Sequence, residues 1–201
     1  MFSLIAQSGS YLNRLYSGET AISGRQPSGT PLSEGDFAPE FTFSSKNWPG
    51  ASVHADVTLK ELHQKPLVVA FYSVFWNGTG ISLLKQLQAV QTKIGDAANV
   101  LIVTSEAPRQ FIRAIENHDL SFSFYYDSEK VLAEKFGIFS EDKPTWNLFS
   151  GINTNVPLLS AYVISPSGQI SFSYIEDFSS PFPEGDLLAA ANAETEIQQH
   201  K

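Results

Sequence analysis

The chain has 201 residues, 42% of them hydrophobic, and a formal net charge of −8. Length and apolar content suit one domain with extensions and exclude a disordered chain. The acidic balance, with no run of Lys or Arg, argues against nucleic acid, whose phosphates need clustered cations. The absence of cysteine removes disulfides, thiolate metal sites and thiol nucleophiles together.

The N-terminal stretch MFSLIAQSGSYLNRLYSG holds a short apolar run, Phe2 to Ala6, without the charged flank and length of a signal peptide. No segment reaches the roughly 18 consecutive apolar residues of a membrane span. A chain with no membrane partner is expected, cytoplasmic by default. Residues 17–36, SGETAISGRQPSGTPLSEGD, are rich in Ser, Gly, Thr and Pro and read as a lead-in. The expected organisation is an N-terminal arm, 1–34, and one domain, 35–201.

Phe41–Phe43 and a stretch around Val53 read as a small hairpin. Thr58 followed by Glu61 is a capping box that starts a short helix. The run PLVVAFYS, 66–73, suits a strand buried on both faces. After it, Ile81, Leu84, Leu87 and Ile94 recur at helical spacing, and NVLIVT, 99–104, is a second buried strand. Strand, crossover helix and strand predict a parallel βαβ unit.

Pro108 marks the first turn of the next helix. FSFYYD is a third strand, and SEKVLAEKFG a helix closed by Gly137. A loop over 138–155 carries Trp146. LLSAYVI and QISFSYI flank SPSG and predict an antiparallel hairpin. A last helix opens with Glu184 and Asp186, where the helix dipole favours acids. The sequence leaves the isomer of Val156–Pro157 open. The fold class is therefore α/β, a central mixed sheet with helices on both faces.

GDFAPEFTF (35–43), KPLVVAFYSVFW (65–76), FSFYYDSEKVLAEKFGI (122–138) and VPLLSAYVISPSGQISFSYI (156–175) occur in that order. Together they resemble the alkyl hydroperoxide reductase/thiol-specific antioxidant family, the peroxiredoxin-like branch of the thioredoxin-fold superfamily. The resemblance spans Gly35 to Ala191. It implies a thioredoxin-like fold with a peroxiredoxin-type extra strand and helix, and an oxidoreductase with antioxidant activity. It also places the functional turn after Trp76, where the family carries Cys-x-x-Cys, or Thr-x-x-Cys in the peroxiredoxin register. Here the residues are Asn77, Gly78, Thr79 and Gly80. Asn77 and Gly80 occupy the family's positions, and neither is a nucleophile, whereas peroxide reduction and disulfide exchange both need a thiolate.

Two readings of that turn follow. One is a ligand site built from Trp76, Asn77, Gly78, Thr79, Gly80, Val156 and Pro157. It would take a protein, a peptide or a small anion, the last on unpaired N–H groups at the helix start. The other is a helix-entry turn that uses Asn and Gly for their permissive dihedrals. Trp76 and Trp146 either line a cleft or simply pack.

His54 and Asp56 share a strand face, but two ligands do not make a metal site, and none is expected. Glu176 and Asp177 read as a solvated strand end. No nucleophile elbow, dinucleotide fingerprint or phosphate loop is present. The expected function is a binding or interaction module without a cofactor, with a homodimer among its expected assemblies. The alternative is an oxidoreductase whose redox group comes from a cofactor or partner.

Overall fold

A computed structural model of the chain describes residues 30–49, 55–149 and 151–199. Seven strands and five α-helices appear in it, in the order expected. β1 (Thr42–Phe43) pairs antiparallel with β2 (Val57–Thr58), Thr42 opposite Thr58. The expected partner near Val53 lies outside the described residues, and the pairing strand is Val57–Thr58. The reason is local: Thr58 caps the next helix and must be extended to do so, at φ −81° and ψ 152°, which suits it to strand pairing.

That helix, α1 (Leu59–Leu62), carries the capping box the sequence announces. The Glu61 backbone N–H donates to Thr58 Oγ1 at 3.2 Å, and the Thr58 N–H donates to Glu61 Oε2 at 2.7 Å. The Thr58 N–H and then the Thr58 hydroxyl, which also donates to Glu61 Oε2 at 2.7 Å, hold the Glu61 carboxyl below its usual range.

β3 (Leu67–Tyr72) is buried along its whole length and is the centre of a five-stranded sheet of order β5-β4-β3-β6-β7. β4 (Asn99–Thr104) lies parallel to it, Leu67 opposite Asn99 and Tyr72 opposite Thr104. β5 (Phe124–Tyr126) continues in parallel. On the other side β6 (Ser160–Ile164) and β7 (Ile170–Ile175) form the antiparallel hairpin. The continuous apolar runs belong to strands covered on both faces, whereas edge strand β7 alternates buried and half-buried residues.

α2 (Asn77–Ile94) crosses from β3 to β4 and buries Leu84, Leu87 and Ile94. α3 (Pro108–Glu116) crosses from β4 to β5, with Pro108 in its first turn. Their face of the sheet holds the stack Tyr72–Phe111–Phe124, with ring centroids 5.6 and 4.6 Å apart. The opposite face holds Phe71, Phe136 and Tyr162, and beside them Phe41, Phe43, Trp48 and Tyr125. α4 (Val131–Lys135) returns over that second face and ends at Gly137, φ +69°. There Ile138 N–H donates to Ala133 O and Gly137 N–H to Glu134 O, the paired bonds of a glycine C-cap. α5 (Glu184–Gln199) packs against α2 through buried Leu187 and Ala191.

The lead-in docks before the hairpin begins. Leu32 is buried and its N–H donates to Phe136 O at 2.9 Å. Residues 35–38 then run along β7 through three backbone bonds, among them Ala38 N–H to Gly168 O at 2.8 Å, and so cover part of that sheet edge. Among the described residues, no helix is long and apolar enough to cross a membrane.

Candidate functional site at the turn after the central strand

The C-terminal ends of parallel strands are where α/β sheets usually carry their sites, and the turn after β3 lies there. Ser73 starts it: its Oγ accepts from Phe75 N–H at 3.2 Å, so Val74–Trp76 close into one 3₁₀ turn. Trp76 points inward and is almost fully buried. Its indole Nε1–H donates to Pro157 O at 3.0 Å, and its ring meets Phe149 at 5.1 Å and Phe178 at 6.2 Å.

Trp76 and Pro157, predicted as site neighbours, are therefore in direct contact, with Val156 buried beside them. The Val156 carbonyl is engaged as well, accepting from Thr145 Oγ1. Every described peptide bond is trans, Val156–Pro157 included.

Asn77 and Gly78 are exposed, Thr79 is half-buried and Gly80 is buried. Asn77 takes φ 49° and ψ −131°, close to the first central position of a type II′ turn, about +60° and about −120°. Its Nδ2 donates to Phe75 O at 3.0 Å. Gly80 presses on the core. A Cβ built there would lie 2.8 Å from the Tyr72 ring and 3.0 Å from Trp76 Cβ. The place that would hold a side chain is occupied by the Tyr72 ring.

Beneath the turn sits a residue that sequence reading missed. Glu106 is 7% exposed. Its Oε1 accepts from Ser73 Oγ at 2.8 Å and Ser105 Oγ at 3.1 Å, and its Oε2 from Thr104 Oγ1 at 2.8 Å and Val74 N–H at 3.3 Å. Four donors fill the carboxylate's capacity, and none is a cation. Burial, aided by the Glu106 charge, pushes the Tyr72 hydroxyl up to about 12. A thiolate is favoured by a nearby cation, and this turn rests on an acid. The available signal was polar Ser73 and Thr104-Ser105-Glu106 at the ends of adjacent parallel strands.

Glu176 corrects a second expectation. It is buried, accepting from Tyr174 Oη–H at 2.8 Å and Phe178 N–H at 2.7 Å. Phe178 takes φ +59° there, and its ring meets Phe149 edge-on at 5.5 Å. The strand end is a built corner, not a solvated one. Phe178 stays 57% exposed, Trp146 49% and Phe75 38%, so the segments around buried Trp76 present aromatic rings to solvent. Of the pair Trp76 and Trp146, the first packs and the second is half out.

Only one member of the His54–Asp56 pair lies among the described residues. His54 lies outside the described residues, and Asp56 Oδ1 accepts from Ser45 N–H at 2.9 Å. Among the described residues no group of three or more His, Asp or Glu is placed to hold a metal. A cavity of about 570 Å³ opens at the other end of the sheet, between residues 37–40, α1 and the β6–β7 turn. None of the predicted site residues lines it.

A family model described as AhpC/TSA family matches residues 35–173. The Haemophilus influenzae protein that carries the peroxiredoxin name bcp is 24% identical over 141 residues, 70% of this chain and 84% of its own. Among solved structures, Enterococcus faecalis AhpC superposes with TM-score 0.62 at 15% identity, over 85% of this chain and 96% of that one. Mycobacterium tuberculosis AhpC gives 0.58 at 16%, over 81% and 98%. The fold is thioredoxin-like, as the resemblance implied.

Proposed function

The chain belongs to the AhpC/TSA family, and we propose that it serves as a redox-inactive binding module on that scaffold. The observation that carries the reading is Gly80. The resemblance matches it to a cysteine of the family; it has no side chain and packs against Tyr72 and Trp76 with no room for one. With no thiol elsewhere in the chain, neither a peroxidatic nor a resolving sulfur is available.

A protein or peptide partner fits the surface better than a β-strand added at Val156, because the Val156 and Pro157 carbonyls already accept hydrogen bonds. The exposed rings of Phe75, Trp146 and Phe178 are the residue types that anchor protein contacts. A second copy of the chain is one such partner.

The test is chemical cross-linking to immobilised wild type and to a Phe75→Ser/Trp146→Ser/Phe178→Ser variant that keeps its circular dichroism spectrum. Light scattering of both reports self-association. Loss of specific cross-links or of the dimer in the variant is expected. An identical partner set and identical mass would remove the aromatic surface from the proposal.

A further inference from the structure

We propose that Asn77–Gly78 is a covalent modification site, at which the folded turn drives cyclisation of Asn77 to a succinimide. The reaction needs the Gly78 backbone nitrogen to reach Asn77 Cγ and close a five-membered ring. That ring is flat only when the Gly78 nitrogen eclipses Asn77 Cβ about the Cα–C bond. In an L-residue Cβ stands a third of a turn from the residue's own nitrogen about that bond. The eclipsed arrangement therefore falls near the ψ of a type II′ turn, about −120°. Asn77 sits at ψ −131°, so the backbone already holds the geometry of the product. An ordinary strand or helix would have to leave its own ψ to reach it.

Three further features agree. Gly78 has no side chain to obstruct attack, and open space surrounds it. Its N–H lies in the first turn of α2, where the helix supplies no acceptor. Both residues are exposed to water. The Asn77 Nδ2 that must leave is held on Phe75 O, which fixes the carboxamide in one orientation.

The step balances within the chain. A Gly78 N–Asn77 Cγ bond forms, the Cγ–Nδ2 bond breaks, and Nδ2 departs as ammonia with the Gly78 amide proton. Water then opens the ring. Opening at the side-chain carbonyl gives Asp at position 77, and opening at the main-chain carbonyl gives the β-linked isoaspartyl chain. Neither step changes an oxidation state. Each product adds a negative charge at the start of α2, where the helix dipole favours it.

Purified full chain and a synthetic VFWNGTG peptide would be aged side by side at mildly alkaline pH. Intact mass and peptide mapping follow loss of one ammonia and the later gain of water. Reaction in the folded chain on the order of tenfold faster than in the peptide is expected, as preorganised reacting atoms give. Gly78→Ala, which has room for its methyl group, should fold normally and lose that acceleration. A folded chain that reacts no faster than the peptide would overturn the proposal, because the sequence alone would then account for the chemistry.

Discussion

Two helices of this domain start in opposite ways. α1 is started by its own residues, Thr58 and Glu61 satisfying each other's backbone across three positions. α2 has no side-chain cap. Its start is fixed from afar, by Glu106 under Ser73 at a separation of 33 residues and by Pro157 under Trp76 at a separation of 81. A helix entry needed only for folding can be encoded locally. The entry of α2, at the C-terminal end of the central strand, is instead held by the tertiary structure.

The sharpest way to break the comparison is to remove the distant support. Glu106→Ala leaves three hydroxyls and the Val74 N–H without their acceptor, and about 3 kcal/mol of stability should be lost in urea unfolding. Gly80→Cys puts a sulfur where the Tyr72 ring stands. It should cost about 1–3 kcal/mol by overpacking and give no hydroperoxide turnover.

At the local entry, Thr58→Ala should cost about 1 kcal/mol, an effect confined to α1. It should also flatten the acid side of the stability profile. Glu61 is held below its usual value, so it contributes stability above its unfolded pKa, and that stability is lost as pH falls through the folded one. Asn77→Gly, at φ 49°, should change stability least, raising it by at most about 1 kcal/mol through relief of the left-handed backbone. A loss of stability there would mean that the Asn77 Nδ2 to Phe75 O bond matters more than the backbone.

At alkaline pH the sign reverses. Tyr72 titrates at about 12 in the fold against 10.0 ordinarily. Its contribution is complete below the unfolded value and is lost as pH climbs from the one to the other. Tyr72→Phe should reduce the slope of stability against pH in that window, leaving the parts due to Tyr162 and Tyr174, both also pushed up chiefly by burial.

What the sequence could be read for divides along the same line. Strands β3 to β7 and the helices were legible because burial imposes period and run length on the residues themselves, and Gly137 and Pro108 punctuate their helices locally. The Trp76–Pro157 neighbourhood followed from resemblance and proved to be a direct hydrogen bond. Glu106 was missed because its partners Ser73 and Val74 come from another strand's end. Glu176 was misread because an acid after a strand looks solvated until Tyr174 and the Phe178 amide are seen to close over it. The β1 partner was misplaced because the capping residue Thr58 doubles as strand.

The most direct measurement is thiol-dependent hydroperoxide turnover by the purified wild-type chain beside a cysteine-containing relative assayed identically. A rate no higher than the protein-free control, with the relative active, is the predicted result. Turnover above that control, proportional to the amount of this chain, would contradict the account, since neither Asn77 nor Gly80 can supply the nucleophile.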